Sequence, residues 1–547
     1  MTAAVAVTAI AAQPAGAAPS HGRGRTVPVR LLALNDFHGN LEPPTGNSAS
    51  TIGDDGKPVL AGGAAHVAAH IKRLTDRNTL KVAQGDLIGA SPLISAAYHD
   101  EPSVQFMGNI GLTASAVGNH EFDEGLAELK RIQNGGCHPV DGCSPAGPWR
   151  GAKFDYLGAN VLSEATSKPA IKPWTIRKIN GVRVGIIGVV TKTTPTIVTA
   201  DGIKGLKFDD EVAAANRSAR ELRKRGVHAM VLLVHEGDQV VKDAKPNDCG
   251  VVPGAGTRIA AEADPDIDVV LSGHTHQQYV CTVKDPNGQP RLYSSGSSFG
   301  RVITQVDLQV DRKRDDIVRS SMKGVNHVVT RDLTDDGTAK FVQYWKDKVA
   351  TIADRKIGTI TAKLDRTASP AGETPLGDVI ADAQLEAVRD KGAQVAVTNP
   401  GGVRTDLDYK NGGVVTYGDA FAVQPFSNVT GVTTLTGAQL DAVLEQQWTS
   451  AGTKILQPSA GLHFTIDSSR PIGDRVSAIT IDGKPVDPAA SYRIAANNFL
   501  LGGGDGFTVF TQGKDQVLGP IDLDALVSYF GSHSPVSPPP LDRISGK

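Results

Sequence analysis

Two α/β domains joined by a helix are the architecture this sequence predicts, on three observations. The first half alternates short, β-branched apolar runs with helical stretches. A segment spanning 336–357 has a helical period. Beyond it, strands and helices alternate again, and strands run into glycine-rich loops. At 547 residues the chain is long enough for more than one core. Near-continuous apolar strands separated by helices belong to sheets that are covered on both faces.

Taken in order, residues 1–26 hold a short apolar stretch and then the small residues Ala15, Gly16, Ala17 and Ala18. That is the pattern of an export leader, although no Lys or Arg precedes it, and a low-complexity tail is the alternative. Residues 27–335 form the first predicted domain. Its strands are VPVRLLAL (27–34), TLKVAQ (79–84), ASAVG (114–118), VRVGIIGVV (182–190), AMVLLV (229–234) and IDVVLSG (267–273), with helices such as GLAELKRIQ between them. PRLYSSG and RVITQVDLQV then close it with strands alone. In the linker helix, 336–357, Phe341, Tyr344, Val349 and Ile352 mark the apolar period. The second predicted domain covers 358–537, and 538–547 reads as a polar tail.

Composition narrows the function. Net charge is −2 with 21% charged residues, so no basic field suits a nucleic-acid polymer or an anionic membrane. No apolar run approaches the ~20 residues that a membrane span needs. The four cysteines allow three pairings, and spacing favours Cys137–Cys143 with Cys249–Cys281. CHPVDGC lacks the spacing of a zinc knuckle, so disulfides formed outside the cytoplasm are the better fit.

Chemistry in α/β sheets gathers at the carboxyl ends of strands. Here those ends read NDFHG with Asp36 and His38, GDLIG with Asp86, GNHEFDEG with Asn119, His120 and Asp123, HEGD with His235, and GHTH with His274 and His276. A single histidine in a loop is usually structural, but five strand ends in succession carrying metal-ligand types form a pattern. In extended chain, residues i and i+2 point the same way, so Asp36 and His38 can share one ion while His274 and His276 serve two. Carboxylate, imidazole and one amide oxygen, with no thiolate, suit zinc, manganese or iron(II).

The order D-x-H, GD, GNHE, a lone His and GHTH resembles the calcineurin-like metallophosphoesterases. NDFHG and GNHEFD, followed by NPGGVR and GGGDGF, resemble their 5′-nucleotidase and UDP-sugar hydrolase branch, over roughly 27–535. The resemblance implies a four-layer α/β/β/α first domain and an α/β substrate-binding second domain. It implies one divalent ion on Asp36, His38, Asp86 and His276, and another on Asp86, Asn119, His235 and His274. The two ions would activate a water for attack on phosphorus, with His120, oriented by Asp123, stabilising the transition state. A nucleotide or nucleotide-sugar is the implied partner, with Phe426 and Phe499 stacking on the base, Asp505 taking the ribose hydroxyls, and Asn399 and Arg404 holding phosphate. UDP-sugars and 2′,3′-cyclic nucleotides are alternative substrates, and a non-catalytic binding protein is a remoter reading. The N-terminal stretch and the cysteines point to a secreted or wall-associated protein, a monomer is the favoured state with the oligomeric state left open, and the resemblance implies a second domain that swings about the linker. Further arginines of the family are absent immediately before Glu373 and between Phe426 and Pro458, and Arg366 is the candidate substitute.

Overall fold

The computed structural model describes residues 25–45, 48–199, 202–242, 244–426, 428–449 and 452–546. Residues 1–24, which carry the expected export leader, lie outside the described residues. The first domain contains two large sheets. One runs in space Asp316–Ile317, Val302–Asp311, Thr26–Leu34, Thr79–Ala83, Ala114–Ala116, Asp155–Leu157, with Lys323–Val328 also on Val302–Asp311. Its last four strands are parallel. The other runs Gln278–Lys284, Pro290–Gly296, Ile267–Ser272, Met230–His235, Val182–Val190, Trp174–Ile179, parallel in its four central strands and antiparallel at both edges.

Period-two alternation sets the layers. In Thr26–Leu34, Val27, Val29, Leu31 and Ala33 face a core shared with Val184, Ile186, Val231 and Leu233 of the other sheet. Leu32 and Leu34 face the opposite way, onto Val67, Ile71, Val104 and Ile132 of the covering helices. In the other sheet Ile187, Val189, Leu232 and Val234 point outward, onto Ala215, Leu222 and Ile259 of the helices Glu211–Lys224 and Ala255–Glu262. The order is therefore helices, sheet, sheet, helices. Both pairings favoured by cysteine spacing are present, Cys137–Cys143 and Cys249–Cys281.

The helix Asp336–Ala353 begins at Asp335, whose side chain accepts the Thr338 N–H. Its buried stripe differs from the expected one. Trp345 and Val349 are buried in the first domain's core with Phe341 and Val342 against them, whereas Tyr344 and Ile352 are exposed. Residues 341, 345 and 349 lie four apart, and that row faces inward. The linker is thus bound to the first domain, and the chain crosses to the second at Asp354 and Arg355.

In the second domain a five-stranded sheet runs Gln457–Pro458, Val395–Thr398, Ser491–Asn497, Val429–Thr436, Lys514–Ile521. Beside it stands a four-stranded sheet whose edge is Ile544–Gly546, parallel to Leu462–Ile466. That corrects the reading of 538–547 as a tail. Arg543 is buried, donating to both Asp382 oxygens at 2.9 and 2.8 Å, and Ile544 enters the core. A charged residue that finds its partner 161 positions away in sequence leaves no local pattern. Among the described residues no helix is long and apolar enough to cross a membrane.

Candidate metal centre

The strand ends of both sheets meet at one place. Thr26–Leu34, Thr79–Ala83 and Ala114–Ala116 deliver Asp36, His38, Asp86 and Asn119 from one sheet, while Met230–His235 and Ile267–Ser272 deliver His235, His274 and His276 from the other. The ligand atoms of Asp36, His38 and His276 lie within 4.8 Å of one another, and so do those of Asp86, His235 and His274. Asp86 reaches the first triad as well, its Oδ2 standing 3.0 Å from His235 Nε2 and 3.6 Å from His38 Nε2. Asn119 Oδ1 is 3.1 Å from His235 Nε2. The doublet GHTH is divided between the two triads.

The backbone route differs from the extended one expected. Asp36, His38, Asp86, His274 and His276 all adopt left-handed φ, between 45° and 71°. Non-glycine residues do so in only a few per cent of cases, and such strain gathers at functional sites. The strands end at Leu34 and Ser272, so these side chains converge from tight turns just beyond them. The turns hold one another. Asp36 N–H donates to the Gly85 carbonyl at 3.1 Å, His38 N–H to that of Asp86 at 3.0 Å, and His274 N–H to the Asp36 carboxylate at 3.0 Å.

Hydrogen bonds also aim the imidazoles. His38 Nδ1 faces the Gly89 carbonyl at 2.9 Å and His235 Nδ1 the Gln84 carbonyl at 2.7 Å. A carbonyl only accepts, so each Nδ1 carries a proton and turns Nε2 inward, the arrangement that orients metal-bound histidines. His38 Nε2 then stands 3.3 Å from His276 Nε2 and 3.6 Å from Asp86 Oδ2, while His276 Nε2 is 3.4 Å from Asp36 Oδ1. Inward imidazole nitrogens, carboxylate oxygens and one amide oxygen, with no thiolate, form a donor set that fits divalent ions of the zinc or manganese class. Burial works to raise the Asp86 carboxyl, but His235 and His120 override it and hold it well below the usual carboxylate range. Burial likewise pulls His235 down, yet Asp86 lifts it to about 10, so metal binding must displace a proton there.

His120 occupies a short 3-10 turn that brings Asp123 Oδ2 to 2.8 Å from its Nδ1. Against burial, Asp123 and Asp86 raise its pKa. Glu121 is a supporting residue that sequence reasoning missed. It is buried, its carboxylate accepts the N–H groups of Asp86, Leu87 and Gly118, and burial pushes it up to about 8. The glutamate of GNHE was the available signal. Asn35, also missed, donates to Asp36 Oδ2 at 2.7 Å.

The second domain closes over the centre. A cavity of about 290 Å³ runs from Asn119, His120 and His274 to Phe426, Phe499 and Asp505. Arg404 lines both this cavity and the opening above Asp86 and His276. The Phe426 ring stacks on His120, centroids 5.5 Å apart, with the Arg404 guanidinium 5.6 Å from its own centroid. Gly504 admits the Phe499 ring, since a Cβ there would stand 2.6 Å from it.

Two of the expected residues also make contacts within the second domain. Asn399, expected on phosphate, donates to Asp505 Oδ2 at 2.9 Å and accepts from Asn497. It braces the carboxylate because the loop after Val395–Thr398 runs beside the Asp505 turn. Arg366, the expected substitute, donates to Asp406 and the Val403 carbonyl and so supports the Arg404 loop. The cation in the stretch that lacks arginine is Lys454, whose Nζ is 2.5 Å from Asp505 Oδ1.

Comparison with known proteins agrees with this geometry. The calcineurin-like phosphoesterase family matches residues 29–278, and the 5′-nucleotidase C-terminal domain matches 354–512. Cell wall protein Lmo0130 of Listeria monocytogenes is 32% identical over 541 residues, which cover 92% of this chain and 67% of that protein. The chain belongs to the 5′-nucleotidase family of calcineurin-like phosphoesterases. As a member of that family it is a hydrolase of phosphoric esters. Endonuclease YhcR of Bacillus subtilis is 31% identical over 514 residues, 92% of this phosphoesterase but 40% of YhcR. The 5′-nucleotidase precursor from Thermus thermophilus superposes with a TM-score of 0.77 at 27% identity, covering 95% of this chain and 99% of that one.

Gly118 tests the centre's packing. A Cβ there would lie 2.1 Å from Asp86 Oδ1, so Gly118→Ala should displace the carboxylate and lower bound metal in elemental analysis. Unaltered metal content in a folded G118A protein would contradict the assigned place of Asp86.

Proposed function

We propose that this protein is an exported 5′-nucleotidase that holds two divalent ions and removes phosphate from nucleotides taken up between its domains. The observation that carries the reading is the pair of triads, each with two buried members and one half-buried histidine, with Asp86 within reach of both. In this reading Asp36, His38, Asp86 and His276 hold one ion, and Asp86, Asn119, His235 and His274 the other. Two such ions, when bound, polarise phosphoryl oxygens and lower the pKa of a shared water.

The chain's own groups do the rest. His120 faces the cavity with its Nδ1–H held by Asp123, so its Nε2 is available to the phosphoryl oxygens or the leaving oxygen. Arg404 supplies a planar cation at the junction of centre and cavity, suited to bidentate contact with phosphate. Phe426 and Phe499 offer the base two apolar faces, stacking worth about 1–3 kcal/mol per base. Asp505, fixed by Asn399 and Lys454, accepts ribose hydroxyls at the far end. Two disulfides and a relative named as a cell wall protein support a location outside the cytoplasm.

His120→Ala should keep both metals yet lower kcat about 100- to 10,000-fold, the range for a positioned acid–base group, whereas Asp86→Ala should lose metal. Equal metal loss in the two variants would overturn the division of roles. Replacing Phe426 and Phe499 together by Ala should raise KM for AMP about 10- to 100-fold and spare a small aryl phosphate. Equal loss on both substrates would contradict the base-stacking role.

A further inference from the structure

We propose that Lys454 determines specificity for the sugar of the substrate, reading one of the two vicinal ribose hydroxyls jointly with Asp505. The inference rests on the nucleotidase reading and adds to it a residue and a preference, for ribonucleotides over their deoxy counterparts.

The backbone at Lys454 is fixed from below. Lys454 follows the paired strands Trp448–Thr449 and Gly452–Thr453 and precedes Gln457–Pro458 at the edge of the five-stranded sheet. Buried Gln447 clamps the segment between them. Its carbonyl accepts the Lys454 N–H at 2.8 Å and its Oε1 accepts the Leu456 N–H at 2.7 Å. The lysine side chain stays 46% exposed and lines the cavity. It does not line the opening above Asp86 and His276, as Arg404 does. The two cations of the cavity thus serve different parts of a substrate, Arg404 the phosphate and Lys454 the sugar.

Hydrogen-bonding capacity shows what the pair can read. An ionised carboxylate has about four acceptor sites, and an ammonium has three donors. Asn399 Nδ2 uses one site on Asp505 Oδ2 at 2.9 Å, and Lys454 Nζ uses one on Oδ1 at 2.5 Å. Each oxygen therefore keeps an acceptor site, and Lys454 keeps two donors. A hydroxyl both donates and accepts. Set against Oδ1, it gives its proton to the carboxylate and receives one from the ammonium, two charge-assisted bonds at once. A deoxy carbon offers neither, and it covers a paired carboxylate and ammonium without replacing their water. At Oδ2 the neighbour is Asn399, a neutral amide held in turn by Asn497. The two hydroxyls meet different surroundings, and only one of them meets Lys454.

That asymmetry is the test. kcat/KM is measured for AMP, 2′-deoxy-AMP and 3′-deoxy-AMP with metal-loaded, full-length wild-type protein, Lys454→Met and Asp505→Asn. Lys454 is half-exposed, so methionine replaces it without disturbing the core. The wild type is expected to prefer AMP to each deoxy nucleotide by about 10- to 100-fold. Lys454→Met should lose one of these preferences through KM and keep the other, whereas Asp505→Asn should lose both. Equal loss by Lys454→Met on all three nucleotides, or loss of both preferences as in Asp505→Asn, overturns the proposal and leaves the lysine as a brace for Asp505. A wild-type protein that cleaves a small aryl phosphate but none of the three nucleotides would instead remove the nucleotidase reading, and the proposal with it.

Discussion

The buried carboxylate of Asp86 makes the strongest demand in the molecule. Removing such a charge from water costs several kcal/mol even after relaxation, and this one lies where the edges of two sheets meet. The protein answers with the His120 backbone N–H at 2.9 Å, the His235 ring at 3.0 Å and His38 further off. Protein groups alone leave the other acceptors of the cluster facing one another. The donor set and its negative charge suit a divalent cation, and the surrounding architecture holds that set together.

Four layers are what make the meeting possible. One sheet alone would carry only four of the seven ligands on its strand ends, and the other only three. Stacked through Leu31, Ala33, Ile186 and Leu233, the two sheets hold their carboxyl edges together at the spacing of their shared core. The turns beyond those edges take left-handed conformations that cost about 1–3 kcal/mol each, offset by backbone hydrogen bonds between neighbouring turns and by the carboxylate of Glu121. Gly118 leaves Asp86 the space it needs. The second domain adds a wall that carries Arg404 and the aromatic rings, and its own brace, Asn497–Asn399–Asp505–Lys454, keeps a carboxylate at the far end of the cavity.

Much of this was legible in the sequence, and the exceptions have physical causes. Apolar runs predicted the central strands of both large sheets, because burial on two faces leaves a near-continuous signal, but missed Asp155–Leu157, Trp174–Ile179, Gln278–Lys284, Asp316–Ile317 and Lys323–Val328. The positions of Asp36, His38, Asp86, His235, His274 and His276 followed from their places at strand ends. Their left-handed turns did not, since backbone strain imposed by distant loops leaves no local trace. The linker stripe was misplaced because Tyr344 and Trp345 are adjacent, and composition does not say which ring turns inward. Glu121 and Lys454 act through partners remote in sequence, Asn35 joins the adjacent Asp36 to the distant Gly296 N–H, and Arg543 ties the last residues into the second domain. Asn399 lines the cavity as expected of a substrate contact, but its bond to Asp505 was not legible, because only the loop geometry brings the two together.

The sharing of Asp86 by two ions is tested most directly by electron paramagnetic resonance of the full-length protein titrated with Mn2+. The account predicts a spin-coupled pair signal that grows with the second equivalent and is missing from a folded Asp86→Ala variant. A saturated spectrum of isolated Mn2+ ions, with no coupled component, would contradict it.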